Sequence, residues 1–357
     1  MLSPRAQEAV ELLERLIATP SLSREEGAAA ELVFQFLREK GARPQRSGNN
    51  VWAGPSPGEG PILLLNAHLD TVRPVSGWQR DPFAPTREED RLYGLGSNDC
   101  GGGLVALTAA ALPYVAGGER GGYRVLLLLS AEEEVSGKGG IERVLPLLPE
   151  PSVAIVGEPT GLQPATAEKG LMVVDAVAEG RAGHAARGEG VNAIYKAMAD
   201  IRLLAAEADG LFPRVSPMLG RVLATVTLIK AGTQHNVVPD RCEYTIDVRS
   251  TDCYPNEQIL DILRQHLSAT LTPRSTRLQP SCISHEHPLV RHCLDLGLKP
   301  FGSPTLSDQA LMPFPSLKLG PGESARSHTA DEYICISEIE RAIALYDQLI
   351  AGGQNCK

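Results

Sequence analysis

Asn66-Ala67-His68-Leu69-Asp70-Thr71 follows the apolar run Ile62–Leu65, so His68 and Asp70 stand at the end of a strand expected to be buried on both faces. A second apolar run, Val125–Leu129, delivers Glu132-Glu133-Glu134 in the same way, and Gly96-Ser97-Asn98-Asp99 lies between the two. Imidazole and carboxylates gathered at the carboxyl ends of neighbouring strands are what a metal site in an open α/β sheet requires.

Working outward, Ser3 can cap a helix with Pro4 at its first position, and Ala9, Leu12, Leu13, Leu16 and Ile17 give it one apolar face. Ser23 with Glu26 reads as a capping box opening a second helix that Gly41 ends. Gly101–Val115, rich in Gly and Ala, reads as a buried helix beginning beside Asp99. Strand 124–129, a helix near 138–147 and strand 153–157 continue the β-α-β alternation, which predicts a sheet mainly parallel at its centre.

Near residue 165 the pattern changes. Strand 170–179, helix 190–207, strands 222–230 and 241–249, helix 256–270 and strand 276–283 spell β-α-β-β-α-β, a ferredoxin-like arrangement. Helix 288–297, a short strand near 305, strand 316–319 and helix 337–351 follow. The expectation is one α/β domain, residues 1–164 and 285–357, a mainly parallel mixed sheet sandwiched by helices, interrupted by an α+β lid, 165–284.

The chain has 357 residues, long enough for two domains, and a net charge of −9 that argues against nucleic acid or an anionic membrane as partner. No apolar run reaches the length of a membrane helix, and the first residues lack the basic start and apolar core of a signal peptide. Seven cysteines, odd in number and without a C-x-x-C pair, suit reduced thiols in a cytoplasmic enzyme.

A two-metal hydrolase site needs ligands for each ion, one carboxylate shared between them, and a base for the attacking water. His68, Asp99, Glu134, Glu158 and His328 can supply such a set, each in a short segment bounded by turn residues. Taken singly, each has a plainer reading: a hydrogen-bonded histidine, a solvated run of glutamates, an aspartate in a turn. Four strand ends that each terminate in a ligand-type residue are hard to obtain by chance.

The order His-x-Asp (68–70), Gly-x-Gly-x-x-Asp (94–99), Glu-Glu (133–134), Gly-Glu-Pro-Thr (157–160) and His-Thr-x-Asp-Glu (328–332) resembles the M20 family of metallo-aminoacylases and peptidases, and within it the acetylornithine deacetylase branch. The resemblance implies a zinc-exopeptidase-like fold and two divalent ions, zinc with cobalt as an alternative. It has Asp99 bridging them, His68 and Glu158 completing one position, and Glu134 with His328 the other. Asp70 would accept the second N–H of His68, and Glu133 would be the general base; Gly139, five residues after Glu134, favours Glu133 over Glu132. Cys100 and Gly101 depart from the family's usual Asp-x-Lys-Gly; the thiol is either a small buried hydrophobe or an alternative metal ligand.

In the lid, Gly183-His184-Ala185-Ala186 resembles the family's histidine that enters the partner subunit's active site and steadies the oxyanion, which would make a homodimer part of the mechanism. By the same resemblance Asn236 and Arg249 hold the substrate α-carboxylate, and Gly322 lets the backbone approach it. Arg249 could instead pair with Asp247 or Asp252. Arg326 would suit a succinyl rather than an acetyl group, whereas Ser307-Asp308 reads as support for the neighbouring loop ahead of a hydrogen bond to the substrate's side chain.

The implied activity is deacylation of an N-α-acyl amino acid, N-acetylornithine first, in arginine biosynthesis. Acetyl- or succinyl-citrulline and dipeptides are the alternatives within the family. A non-catalytic binding protein would be expected to lack a ligand or the base, and none is missing. A cysteine hydrolase built on Cys100 lacks an activating cation near Cys100 in the sequence.

Overall fold

The computed structural model describes residues 2–352, apart from the side chains of 207–209. In chain order the principal elements are α1 (Pro4–Ile17), α2 (Gly27–Glu39), β1 (Gln45–Ser47), β2 (Asn50–Ala53), β3 (Ile62–His68), α3 (Gly102–Val115), β4 (Arg124–Ser130) and β5 (Val153–Val156). They are followed by β6 (Gly170–Glu179), α4 (Ala193–Leu211), β7 (Leu223–Ala231), β8 (Arg241–Ser250), α5 (Asn256–His266) and β9 (Thr270–Pro273). The chain then returns through β10 (Ser316–Lys318) and ends in α6 (Ile336–Ala351).

Two compact units result, Met1–Thr166 with Ile283–Phe301 and Ser307–Lys357, and Ala167–Cys282 with Gly302–Leu306. In the first, the strand order is β1-β2-β4-β3-β5-β10. The β4-β3, β3-β5 and β5-β10 pairs are parallel, and the antiparallel β2 and β1 form one side. Leu63, Leu64, Leu65 and Leu126–Leu129 have no exposed surface, as expected of central parallel strands covered on both faces. Truncating one such leucine to alanine should cost about 2–5 kcal/mol.

α1 begins as the sequence predicts, Ser3 Oγ accepting from Ala6 N–H with Pro4 at the first position, and it buries Ala9, Leu12, Leu13 and Ile17, leaving Leu16 half-buried. α3 is apolar all round and buried from Gly102 through Ala111. It lies so close to the end of β5 that a Cβ on Gly103 would collide with the Gly157 carbonyl. This close approach sets the start of α3, and with it Asp99, against the strand ends.

The second unit is an antiparallel sheet in the order β7-β8-β6-β9. Met172, Val174, Ala176 and Ala178 on β6 and Cys242, Tyr244, Ile246 and Val248 on β8 form one buried face. They share a core with Ala193, Ala197 and Leu204 of α4 and Ile259, Leu260 and Leu263 of α5.

Several expected elements differ. The anticipated capping box at Ser23–Glu26 does not form: α2 starts at Gly27 without a side-chain cap, because Ser23 Oγ donates to Asp70 and Glu26 is engaged elsewhere. Helix 138–147 shrinks to Ile141–Val144 plus a turn of 3₁₀ helix, with Gly139-Gly140 before it and Pro146 within the turn. The strand expected at 276–283 is not the one that closes the second sheet. α5 ends at His266, and the Thr-Leu-Thr-Pro of β9 pairs with β6 instead, burying Leu271. The short strand near 305 is Phe301–Ser303, and residues 302–306 belong to the second unit. The six cysteines among the described residues are free thiols; Cys356 lies outside them.

Candidate metal centre and active site

Strand register makes the centre. β3 pairs with β4 so that His68 stands opposite Ser130, and with β5 so that Asn66 stands opposite Val156. Two residues beyond that pair, His68 and Glu158 come level, while Glu132-Glu133-Glu134 follow directly from Ser130-Ala131. β10 places Lys318 opposite Val156 and so brings the Gly320–His328 loop to the same edge. A small antiparallel sheet of 86–88, 91–93 and 333–335 holds the far end of that loop.

His68 Nε2 lies 3.1 Å from Asp99 Oδ1 and 3.7 Å from Glu158 Oε1. His328 Nε2 lies 3.1 Å from Glu134 Oε1 and 3.6 Å from Asp99 Oδ2. Each oxygen of Asp99 therefore faces a different histidine, the arrangement of a carboxylate shared between two cations. All five residues that the sequence nominated as ligands stand together.

The centre also passes a test of fit for cations. Glu158 Oε1 is buried and has no hydrogen-bond partner, a costly state for a carboxylate oxygen unless something positive faces it. Burial, and then the nearby Asp99 charge, push the Glu158 carboxyl up to about 8. Burial and the Glu158, Glu134 and Asp308 charges hold Glu133 well above the usual carboxylate range. His328 is raised to about 9 by its hydrogen bond to Glu134. Negative groups crowded away from water and short of positive partners fit a pair of divalent ions. Cys100 Sγ lies within 4.8 Å of the nearest donor atoms of His68 and Glu158, and it accepts from His68 N–H at 3.2 Å. Without a metal, burial pushes the thiol up to about 12, which keeps it protonated at neutral pH in the metal-free protein.

Asp70 acts differently from the expectation. The His68 Nδ1 partner is the Asp70 backbone carbonyl at 2.8 Å, whereas the nearer Asp70 carboxylate oxygen is 3.6 Å away. That carboxylate instead accepts from Glu133 N–H at 3.0 Å and Glu134 N–H at 3.1 Å. The backbone fixes the imidazole, and the side chain holds the turn that carries the glutamates. Glu132 points away from the centre: its carboxylate accepts from Gly139 N–H, and a Cβ on Gly137 or Gly139 would strike it.

Sequence reasoning missed the role of one buried acid at the site and the partner of another. Glu332 accepts from the N–H groups of Gly96, Asn98 and Asp99 at 2.9–3.0 Å, holding the loop that carries Asp99 from the opposite end of the chain. Asp308, read from sequence as loop support, accepts from Ser130 Oγ at 2.6 Å at the end of β4, and burial raises it to about 6. Lone acids have no periodicity. The only signal was the place of Glu332 in His328-Thr329-Ala330-Asp331-Glu332.

Two loop residues are otherwise engaged. Arg326 forms a bidentate pair with Glu338 at 2.8 and 3.2 Å and stacks on Tyr333, so its charge is already neutralised. Gly322, at φ 81°, has Asn98 Oδ1 where a side chain would stand, so packing alone requires glycine there. In the second unit, Arg249 pairs with Asp247 at 2.8 and 3.2 Å, the alternative that the sequence left open. Gly183-His184 pairs with Val237-Val238, and Ala185 N–H donates to the Asn236 carbonyl at 3.0 Å, which brings His184 and Asn236 side by side. Ala186 N–H donates to His184 Nδ1 at 3.2 Å, leaving the ring proton on Nε2, at an exposed position.

A parallel sheet that ends in histidines and carboxylates around Asp99 has the donor set of a metal-dependent hydrolase. Comparison with known proteins agrees: residues 64–352 match the model of peptidase family M20/M25/M40, and the chain belongs to that family. It is 30% identical to acetylornithine deacetylase of Proteus mirabilis, over 96% of this chain and 95% of that one. It is 25% identical to succinyl-diaminopimelate desuccinylase 2 of a Ruegeria species, over 98% and 96%. The fold is similar to that of the Bacillus subtilis YXEP protein, a dinuclear metal binding peptidase of the M20 family, with TM-score 0.67 and 15% identity over 98% and 97% of the chains.

Proposed function

We propose that this chain is a di-zinc deacylase that converts N-acetylornithine to ornithine and acetate, acting as a cytoplasmic homodimer in arginine biosynthesis. The observation that carries the chemistry is Asp99 with one oxygen toward His68 and the other toward His328. The 30% identity with an acetylornithine deacetylase along nearly the whole chain supports the choice of substrate.

His68 and Glu158 would hold one ion and Glu134 with His328 the other, Asp99 serving both; cobalt suits the same donor set. Such ions supply Lewis acidity toward the amide carbonyl and make a nearby water more acidic. Glu133 takes the proton of the attacking water and delivers it to the departing α-amine. Its carboxylate is suited to both steps because burial raises its proton affinity above that of an ordinary carboxylate. Asp70 keeps Glu133 and Glu134 in place through their amides. His184, with its proton on Nε2, has the tautomer that a hydrogen-bond donor to an oxyanion needs, and in the dimer it serves the partner's reaction. Asn236 receives the substrate α-carboxylate together with Arg249, which exchanges its pair with Asp247 for the substrate when it does so; Gly322 supplies backbone approach.

Dimerisation is supported by β7, an edge strand exposing Leu228 at 63% and Ile229 at 57%, and by Tyr195 and Met198 of α4, exposed at 70% and 56%. An unpaired apolar edge invites a second copy. No helix among the described residues is long and apolar enough to cross a membrane. The Glu338 pairing of Arg326 favours acetyl over succinyl substrates, because it removes the cation that a succinyl carboxylate would need.

The test is a comparison of kcat/KM for zinc-loaded enzyme on acetylornithine, acetylcitrulline, succinylornithine and a dipeptide panel. Acetylornithine should lead by about tenfold or more. A higher value on citrulline derivatives, succinyl substrates or dipeptides overturns the substrate assignment.

A further inference from the structure

The turn after β4 is held in an unusual way. Four consecutive backbone N–H groups are accepted by side chains. Ala131 donates to Asn50 Oδ1 at 3.0 Å, Glu132 to Glu26 Oε1 at 3.1 Å, and Glu133 and Glu134 to the two oxygens of Asp70 at 3.0 and 3.1 Å. Glu26 and Asn50 have no exposed surface, and neither belongs to the metal centre. Glu26 also accepts from Arg24 N–H at 2.6 Å and from Asn49 Nδ2 at 2.8 Å, which anchors its carboxylate. Asn50 Nδ2 donates to the Gly139 and Ser47 carbonyls at 2.7 and 3.1 Å, closing the turn from its far side.

The backbone conformation explains why so many anchors are needed. Glu132 sits at φ 56° and ψ 22°, in the left-handed region, and Ser136 at φ 44°. Non-glycine residues stay in that region only where the surroundings over-determine them. The left-handed residue at 132 is what turns Glu132 back onto Gly137–Gly139 and sends Glu133 the other way. Its amide is held by Glu26.

We propose that Glu26 and Asn50 are positioning residues for the reaction. By holding the amides of Glu132 and Ala131 they aim the Glu133 carboxylate, without touching substrate or metal. The inference rests on the reading of Glu133 as the base.

Glu26→Met fills the same buried space without an acceptor, so it is the variant to compare with wild type in the full-length, zinc-loaded enzyme. kcat should fall about 10²-fold, the size of effect that a misplaced catalytic group produces. KM should stay within about twofold and the protein should keep two zinc ions per chain, because the substrate and metal contacts are intact. Glu26→Gln, which retains an oxygen for the Glu132 amide, should recover most of the lost rate. Asn50→Leu should lower kcat in the same direction. Added to Glu133→Gln, Glu26→Met should cost nothing more, since a positioning residue has nothing left to position.

An unchanged kcat per zinc-loaded site overturns the proposal. So does a loss confined to melting temperature or metal content, or a full further loss on top of Glu133→Gln. Full activity of Glu133→Gln alone would instead refute the choice of base, so the two failures are distinguishable.

Discussion

The two histidines of the centre face the same aspartate from different kinds of structure. His68 ends a central strand and its side chain is 1% exposed; His328 rides a loop at φ 58° and its side chain is 49% exposed. The inner half of the centre, His68 with Glu158, is fixed by the register of three parallel strands. The outer half, Glu134 with His328, depends on two turns held by side-chain hydrogen bonds from distant segments, Asp70 on the Glu134 amide and Asn98 on Ser327 and the Glu323 amide. A sheet presets ligands at its strand ends, whereas a turn must be held by other groups; the buried acids around this centre serve that second purpose.

Glu133→Gln should have the largest effect, because it removes the chemistry and leaves both halves in place. kcat should drop about 10³-fold with two zinc ions retained by elemental analysis. Glu132→Gln, whose carboxylate faces Gly139, should stay within about tenfold of wild type. If the two variants exchange behaviour, the base is Glu132.

Next, the halves should separate on metal removal. His328→Ala should still bind one zinc tightly and lose the weaker one, while His68→Ala should lose the tighter, with calorimetric titration as the readout. Equal weakening of both ions in either variant would mean that the halves are not distinct.

A smaller effect concerns pH. Glu158, at about 8, and His328, at about 9, hold protons at pH 7 when no metal is present. Both pKa values are raised above the ordinary ones, so the metal-free fold binds more protons than the unfolded chain, and its stability falls as pH rises from about 5 to 9. Metal must displace these protons, so zinc affinity should rise over pH 6–8 with proton release measurable in buffers of different ionisation enthalpy. The gap in melting temperature between zinc-loaded and metal-free protein should widen over the same range. A pH-independent gap would contradict these assignments.

The smallest effect is expected at Arg326. Arg326→Ala should lower stability by about 1 kcal/mol through loss of the Glu338 pair, and leave the succinyl-to-acetyl rate ratio unchanged. A changed ratio would restore the arginine to the acyl pocket.

What the sequence made legible follows the same division. The inner half of the centre was visible because apolar runs such as Ile62–Leu65 and Val125–Leu129 announce strands, and parallel strands bring their ends level. The buried α3 and the alternation of β6 and β8 were visible for similar reasons. Side-chain-to-backbone bonds over long separations were not, because nothing in the local pattern marks Glu332 as the acceptor for Asp99 N–H, 233 residues away. The carboxylate of Asp70 was assigned to His68, yet it serves the amides of Glu133 and Glu134, a choice made by tertiary geometry alone. The end of α5 is not marked in the sequence, because Leu267-Ser268-Ala269 can continue a helix as readily as lead into β9.

Anomalous diffraction at the zinc edge from crystals of the zinc-loaded enzyme tests the central claim most directly. Two peaks should appear about 3.5–4 Å apart with Asp99 between them, one beside His68 and Glu158 and the other beside Glu134 and His328. A single peak, or peaks away from these five residues, would contradict it.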